Sequence, residues 1–507
     1  MGSASPPTPP TPPRKQVHLN FFETACTGNH ECSGQWSAPG DNSRTKDRLK
    51  YYTDLAKLAE KHKITCIFFA DTYAGHDIYG GNMDAVLRAG VQVAQLDPLL
   101  IVSAMAAVTE SVSFGVTGSV TYIPPFALAR TFSSLDHLTE GRIAWNVVTS
   151  FSKAAADAFG TELLPGTKRY ELGEEYMDVV YKLWNGSWAE DSVRYDEVNR
   201  VACEPSRIKK IEHHDECYQR TRLKLSARYQ LHPSPQRTPV VFQAGTSKSG
   251  QAFAARHAEA IYIGGMLPSY AAGQIKASRA IAESAGRDPT TMKFFAAISP
   301  FIGRTIEEAQ AKFDLAYEYA DIIGGLGQFS GYTGIDMSKY PLDEELVLDT
   351  SDHKENMIQG FLGNFVDSLE TNTEPWTPRR LGYKMALGGL HPSPVGTPDM
   401  IADIMQDWVD EADVDGFNIA YISNLGSFED VVTLLIPVLR ERGLIFDNYA
   451  VPGGTSRENL LRQPGQKHLR SDHYGSGFGF EEGGTLDEMG RLEVSSNGHA
   501  NGLAGKQ

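Results

Sequence analysis

Short runs of Val, Ile and aromatic residues recur along this chain, separated by longer stretches whose apolar residues fall three and four positions apart. The short runs are VHLNFF (17–22), ITCIFFA (64–70), SVSFGVTGSV (111–120), RIAWNVVTS (142–150), PVVFQAG (239–245), AIYIGG (260–265), KFFAAISPFIG (293–303) and GFNIAYIS (416–423), each with the composition of a strand. The longer stretches include 46–63, 97–110, 126–139, 248–257, 268–285, 305–320, 398–412 and 428–442, and these carry helical spacing. Alternation of strand and helix predicts an α/β fold with a parallel sheet and helices outside it. Eight such units predict a closed (β/α)8 TIM barrel. A doubly wound open sheet with fewer strands is the alternative, and the unbroken apolarity of 64–70 suits either, since both bury strands on two faces.

Two gaps interrupt the rhythm. Residues 187–236 and 321–397 are too long for simple connections and are read as insertions, the second expected to fold over the rim formed by the loops that follow the strands. Residues 1–15 form a Pro-rich, disordered lead without the apolar run of a signal peptide, and the tail from 479 is Gly- and charge-rich and read as disordered. The barrel with its insertions is thus assigned to 16–478. No repeat of about 20–50 residues is present.

Charge narrows the class of partner. The 507 residues carry a formal net charge of −16, which argues against nucleic-acid or anionic-membrane binding and points to a small-molecule substrate. No run approaches the roughly 18 apolar residues of a membrane span. Five scattered cysteines resemble the reduced thiols of a cytoplasmic protein.

Chemistry concentrates in a few places. In AGTSKSG (244–250), small residues leave a strand and open a helix, so backbone N–H groups can converge on an anion; an ordinary turn capped by Ser247 is an equal reading. Gly250 is followed by Gln251 and Ala252, not the Lys-Ser/Thr pair of a nucleotide P-loop. Asp71 stands one residue past a buried strand, Asn146 lies within one, and Ser150 ends it. Cys26, His30 and Cys32 match no zinc spacing, and the adjacent His213 and His214 in a charged insertion read as solvent-facing, so no metal is expected. No G-x-S-x-G elbow occurs, and strands four and six end without the Glu of a barrel glycosidase.

Taken together, ADTYAGHDIYGG, the block from Asp97 to Ser150, RYELGEEYMDVVYKLWNGSWAEDSV, PSPQRTPVVFQAGTSKSG, TGIDMSKY and VGTPDMIADIMQDWVDEADVDGFNIAYIS resemble the bacterial luciferase superfamily. Within it, they resemble the nitrilotriacetate, dibenzothiophene-sulfone and long-chain alkane monooxygenase branch. The resemblance implies a monooxygenase of a two-component system. Reduced FMN from a separate NAD(P)H:FMN reductase would react with O2 to a flavin hydroperoxide, oxygenate a small organic substrate, and operate in a homodimer or homotetramer. It places Asp71, Ser150 and Phe151 at the flavin, Thr117 and Asn146 along its ring system, and Tyr170, Ala244, Gly245, Thr246 and Ser247 at its phosphate and ribityl chain. On the substrate side it places the candidate catalytic residues Cys26, His30, His76, Gln92 and Gln328.

Departures accompany the matches. Cys26 and Gln92 are kept, but Asn29, Phe151 and Gln328 stand where the alkane monooxygenase has pocket histidines, and His76 stands at a pocket tyrosine. Alkane hydroxylation is therefore not carried over. A flavin- or deazaflavin-dependent dehydrogenase and a non-catalytic flavin-binding barrel are the competing readings.

Overall fold

The computed structural model describes residues 14–26, 31–214, 223–245, 247–348 and 375–480. Eight parallel strands close on themselves: β1 (His18–Thr24), β2 (Cys66–Ala70), β3 (Ser113–Ser119), β4 (Ile143–Val148), β5 (Val240–Gln243), β6 (Ala260–Ile263), β7 (Lys293–Ile298) and β8 (Gly416–Ile419). Each overlaps one predicted run and pairs with its neighbours in chain order. Closure is made at Asn20, which lies opposite Asn418 of β8 on one side and Cys66 of β2 on the other. The architecture is the closed (β/α)8 barrel and not the open sheet.

Alternation of side chains along each strand divides the apolar residues between two cores. Cys66, Phe68, Ala144, Phe242, Tyr262 and Phe295 fill the lumen. Ile67, Phe69, Val116, Trp145, Val241 and Ile261 face the helices. That division explains why the strands read as continuous apolar runs.

Helices cover the outside close to their predicted bounds, among them Leu49–Lys61, Pro98–Ala106, Pro125–Leu138, Lys248–His257, Pro268–Ser284, Ile306–Glu318 and Pro398–Ala412. The Gly166–Tyr181 helix, between β4 and β5, is among those not foreseen; its first turns bury Arg169 and Gly173 before Tyr176 and Met177 begin an apolar stripe. Within the first insertion, two antiparallel hairpins form, pairing Val193–Asp196 with Val201–Cys203 and Lys210–His213 with Leu225–Arg228. His213 is not solvent-facing as expected; its Nε2 stands 3.0 Å from Glu175 Oε1, pinning a hairpin to the Gly166–Tyr181 helix. His214 is exposed.

The second insertion builds a satellite core from the Ile322–Thr333 and Pro378–Ala386 helices, with Phe329, Tyr332, Trp376, Leu381 and Met385 at its centre. Tyr79 and Phe151, from the loops after β2 and β4, pack against it, so the insertion sits on the rim where the strands end. The opposite end is closed by residues that follow β8. Leu460 enters the lumen cluster, and the Ser456 amide donates to the Gly141 carbonyl at 2.8 Å. Arg457, fully buried, donates to both oxygens of buried Glu259 and to the Thr238 carbonyl. Gly141, Thr238 and Glu259 lie one or two residues before β4, β5 and β6.

Lys15 pairs with Asp413 and Asp415, while residues 1–13 and the tail beyond 480 lie outside the described residues. No helix among the described residues is long and apolar enough to cross a membrane. Replacing Glu259 by Ala leaves the Arg457 guanidinium buried without its carboxylate, and a loss of about 3–5 kcal/mol is expected. Denaturant unfolding of Glu259→Ala checks this; an unchanged midpoint would show that the closing segment does not stabilise the barrel.

Candidate active site

All the predicted site residues that the structure describes gather on the rim formed by the strand ends and the second insertion; His30 and Thr246 lie outside the described residues. They form two contiguous groups. One surrounds the turn after β5, and the other centres on a tyrosine of the insertion.

At the turn, β5 delivers Gln243, Ala244 and Gly245 to the start of the Lys248–His257 helix. Ser247 is the N-cap: its side chain accepts from the Gly250 amide at 3.1 Å, as a serine in extended conformation before a helix should. The capping reading is therefore correct, and it leaves the other first-turn amides directed out of the helix end. Tyr170 crosses from the Gly166–Tyr181 helix, and its hydroxyl interacts with the side chains of Ser247, Thr149 and Gln243. Burial raises the phenol's pKa, so it stands as a neutral hydrogen-bonding group.

Two glycines make this closeness achievable. A Cβ at Gly250 would lie 2.8 Å from both the Tyr170 hydroxyl and the Gly245 carbonyl oxygen, and one at Gly245 would overlap the Tyr170 hydroxyl and the Gln243 amide. Any side chain there fills the cradle. Gln243 Oε1 is buried without a hydrogen-bond partner among the described residues, and Lys248 is exposed.

Along the rim toward β2, Asn146 Nδ2 donates to Thr117 Oγ1 at 2.9 Å, and Thr117 donates to the Phe69 carbonyl at 3.0 Å. Asn146 Oδ1 is likewise buried without a partner among the described residues, an acceptor position awaiting a donor. Ser150 is held at φ 39°, in the left-handed region, with its hydroxyl 2.9 Å from that of Ser119. Asp71 accepts from the Thr72 amide at 2.9 Å and from the Gln95 side chain. Burial, with the charge of Asp97, pushes its carboxyl up to about 7.

The second group closes around Tyr332. Its hydroxyl accepts from Gln92 Nε2 at 2.9 Å and Gln328 Nε2 at 3.2 Å. His76 meets its ring edge-on at 4.9 Å, and Phe151 does so at 6.4 Å. Gly331 lets the helix approach so closely that a Cβ there would overlap the His76 ring. Cys26 is buried with its sulfur 3.1 Å from Thr24 Oγ1, and burial raises its thiol pKa, so it is a protonated thiol rather than a thiolate nucleophile. Cys26 bridges to Gln95, which joins this group to Asp71.

Tyr332, Gln243, Gln95 and Thr149 were not picked out by motif reading. Nor were Glu31, whose carboxylate lies 2.8 Å from His391 Nε2, and buried Lys384, whose pKa burial lowers to about 8. Gln243 could have been found as the polar end of an otherwise apolar strand. Tyr332 left no such signal, because GGLGQFSGYTG reads as loop. Among the described residues, no cluster of His, Cys, Asp and Glu has the arrangement of a metal site.

A barrel whose catalytic-side rim carries an open helix end, paired amides and a roof supplied by an insertion is the architecture of an enzyme acting on small molecules. Comparison with known proteins narrows this class. The family model described as luciferase-like monooxygenase matches residues 32–415. The chain is 38% identical over 454 residues to the dimethyl-sulfide monooxygenase of Hyphomicrobium sulfonivorans, covering 89% of this chain and 92% of that protein. It is 37% identical over 460 residues to the long-chain alkane monooxygenase of Geobacillus thermodenitrificans, covering 90% and 97%. Among solved structures, a riboflavin lyase with modified FMN and riboflavin superimposes with a TM-score of 0.82 at 31% identity, over 92% of this chain and 100% of that one. The chain belongs to the luciferase-like monooxygenase family, and it is a monooxygenase.

The elevated Asp71 pKa has a consequence for stability. The folded chain holds this proton up to about pH 7, whereas the unfolded chain releases it near 3.8, so the stabilisation is present at low pH and is lost as pH rises between those values. Asp71→Asn does not titrate. Relative to wild type it should gain about 1–2 kcal/mol of stability between pH 5 and pH 8, a range reduced for solvent screening of a half-buried group. Parallel unfolding curves at the two pH values test the sign, and an unchanged difference would show that Asp71 has an ordinary pKa.

Proposed function

We propose that the protein is the oxygenase component of a two-component system, taking reduced FMN from a separate NAD(P)H:FMN reductase and oxygenating a small organic substrate with O2. The observation that carries the flavin reading is the cradle at Gly245 and Gly250 beneath the Tyr170 hydroxyl, which a single Cβ would fill. A phosphate monoester with close to two negative charges calls for backbone amides, hydroxyls and a helix N-terminus, and Ala244, Gly245, Thr246, Ser247 and Tyr170 offer that set. The partnerless Asn146 Oδ1 supports a neighbouring ring system that donates a hydrogen bond, with Thr117, Ser150, Asp71 and Phe151 around it. When bound, reduced FMN supplies the electrons that activate O2, one oxygen atom going to the substrate and the other to water.

The chain's own residues then have separable tasks. The satellite core over the rim keeps water out, Cys26, His30, His76, Gln92 and Gln328 shape the substrate side, and Phe151 and Tyr332 give it an apolar wall. The relatives named for dimethyl sulfide and long-chain alkanes make small apolar molecules the first substrates to test. The active assembly is proposed to be a cytoplasmic homodimer or homotetramer.

Incubation with FMN, NADH, a flavin reductase and O2, together with dimethyl sulfide, hexadecane or dibenzothiophene sulfone, should yield a product heavier by one oxygen atom. A folded protein that does not bind FMN at micromolar concentration would rule out the proposal. Ser247→Asp sharpens the test, because aspartate caps a helix as well as serine does but repels a phosphate. FMN affinity should fall by about tenfold or more with thermal stability nearly unchanged; equal affinity would remove Ser247 from the phosphate site.

A further inference from the structure

The two helices that frame the turn after β5 are tied together again farther along their length. The Gly166–Tyr181 helix carries Tyr170, the Lys248–His257 helix is capped by Ser247, and their contacts follow one another in the same order along both. At the first level, the Tyr170 hydroxyl stands against Gly245 and Gly250. At the second, the Tyr170 and Phe253 rings are 5.7 Å apart, and a Cβ at Gly173 would come within 3.3 Å of Phe253 Cε2. At the third, fully buried His257 has both ring nitrogens engaged by the other helix: Nε2 lies 3.0 Å from Glu174 Oε2, and Nδ1 lies 3.1 Å from the Tyr181 hydroxyl.

These contacts differ in what they constrain. Phe253 against Gly173 is apolar and tolerates a slide of one helix along the other; hydrogen bonds to the two nitrogens of one ring do not. Burial acts to raise the Glu174 carboxyl, but the hydrogen bond from His257, with Arg256 3.2 Å away, outweighs it and holds the carboxyl below its ordinary range. The carboxylate only accepts, so His257 Nε2 carries the hydrogen. Residues that follow β8 add a clasp from outside. His473 Nδ1 accepts from the Gly475 amide at 3.0 Å, which leaves its Nε2 to donate to the His257 carbonyl at 2.9 Å, one of the carbonyls that a helix end leaves without an internal partner. Tyr474 bridges the pair, its hydroxyl donating to Asp178 Oδ1 at 2.8 Å and its ring centre lying 3.6 Å from the Arg256 guanidinium.

We propose that Glu174, His257 and Tyr181 are positioning residues that fix the register of the two helices, and with it the separation between the Tyr170 hydroxyl and the helix N-terminus, so that the cradle fits a phosphate monoester. This rests on the flavin reading above. A phosphate held by a hydroxyl of one helix and amides of the other loses one set of contacts when the helices slide by more than about 0.5 Å. The flavin ring system in that reading is placed by Thr117, Asn146 and Ser150 and does not share this dependence.

FMN and riboflavin, which differ only by the phosphate, separate a positioning role from a purely structural one. Each is chemically reduced and titrated anaerobically into the full-length protein by calorimetry. Glu174→Ala should weaken FMN binding by about tenfold while leaving riboflavin within about twofold of wild type. Glu174→Gln keeps an acceptor for His257 Nε2 and should return FMN affinity to within about threefold of wild type. Tyr181→Phe keeps the ring and removes one of the two bonds, so it should weaken FMN by about threefold and leave riboflavin unchanged. The phosphorus NMR resonance of bound FMN should move in Glu174→Ala and stay in place in Glu174→Gln. Unchanged FMN affinity in Glu174→Ala and Tyr181→Phe, or equal weakening of FMN and riboflavin, overturns the positioning role and leaves the flavin reading intact. Wild type that binds riboflavin as tightly as FMN overturns the phosphate reading of the turn and this proposal with it, and binding of neither overturns the flavin reading as a whole.

Discussion

Closure of the eight strands is the constraint on which the remaining structure depends. Because β1 pairs with β8 as well as β2, every strand is hydrogen-bonded on both sides, no edge is left exposed, and all eight strands end on one rim. Side chains such as Phe68, Phe242, Tyr262 and Phe295 fill the lumen, so the barrel is a packed core and not a channel. The end where the strands begin is sealed by Leu460 and Arg457. The candidate site residues lie at the other rim, where loops from distant parts of the sequence meet.

Those loops are held by buried polar contacts as well as by apolar packing. At the end of β1, fully buried Glu23 pairs with fully buried Lys46, which also donates to the Tyr421 hydroxyl at 2.7 Å. Tyr51 donates to the second oxygen of Glu23 and accepts from Asn424 Nδ2 at 2.6 Å. Such a pair is costly to desolvate and is retained where its hydrogen bonds are satisfied on all sides. It ties the loop carrying Cys26 to the residues after β8, so the thiol is placed by contacts nearly 400 positions away in sequence.

The fold was largely legible because strands buried on two faces must be apolar throughout, and eight such runs stand out between amphipathic stretches. The Gly166–Tyr181 helix escaped because its first turns bury Arg169 and Gly173, which carry no apolar period. The helix bearing Tyr332 escaped for a related reason. Its glycines look like loop formers, yet they are there to admit neighbours: Gly324 lies against Ala89 and Ser33, and Gly331 against His76. His213 was misjudged because nothing local signals that Glu175, 38 positions earlier, will reach it.

The sequence by itself determined the strand count, the alternation with helices, the family resemblance and the strand-to-helix turn that Ser247 caps. Each of these depends on residues close together in the chain, whose spacing expresses a single periodicity or backbone requirement. Only the tertiary structure decided that Gln92 and Gln328 converge on one phenol, that Cys26 and Asp71 share Gln95, and that Tyr170 comes from a separate helix to complete the turn. These are meetings between elements whose relative positions are set by barrel closure and by packing of the insertion, and no local pattern encodes them.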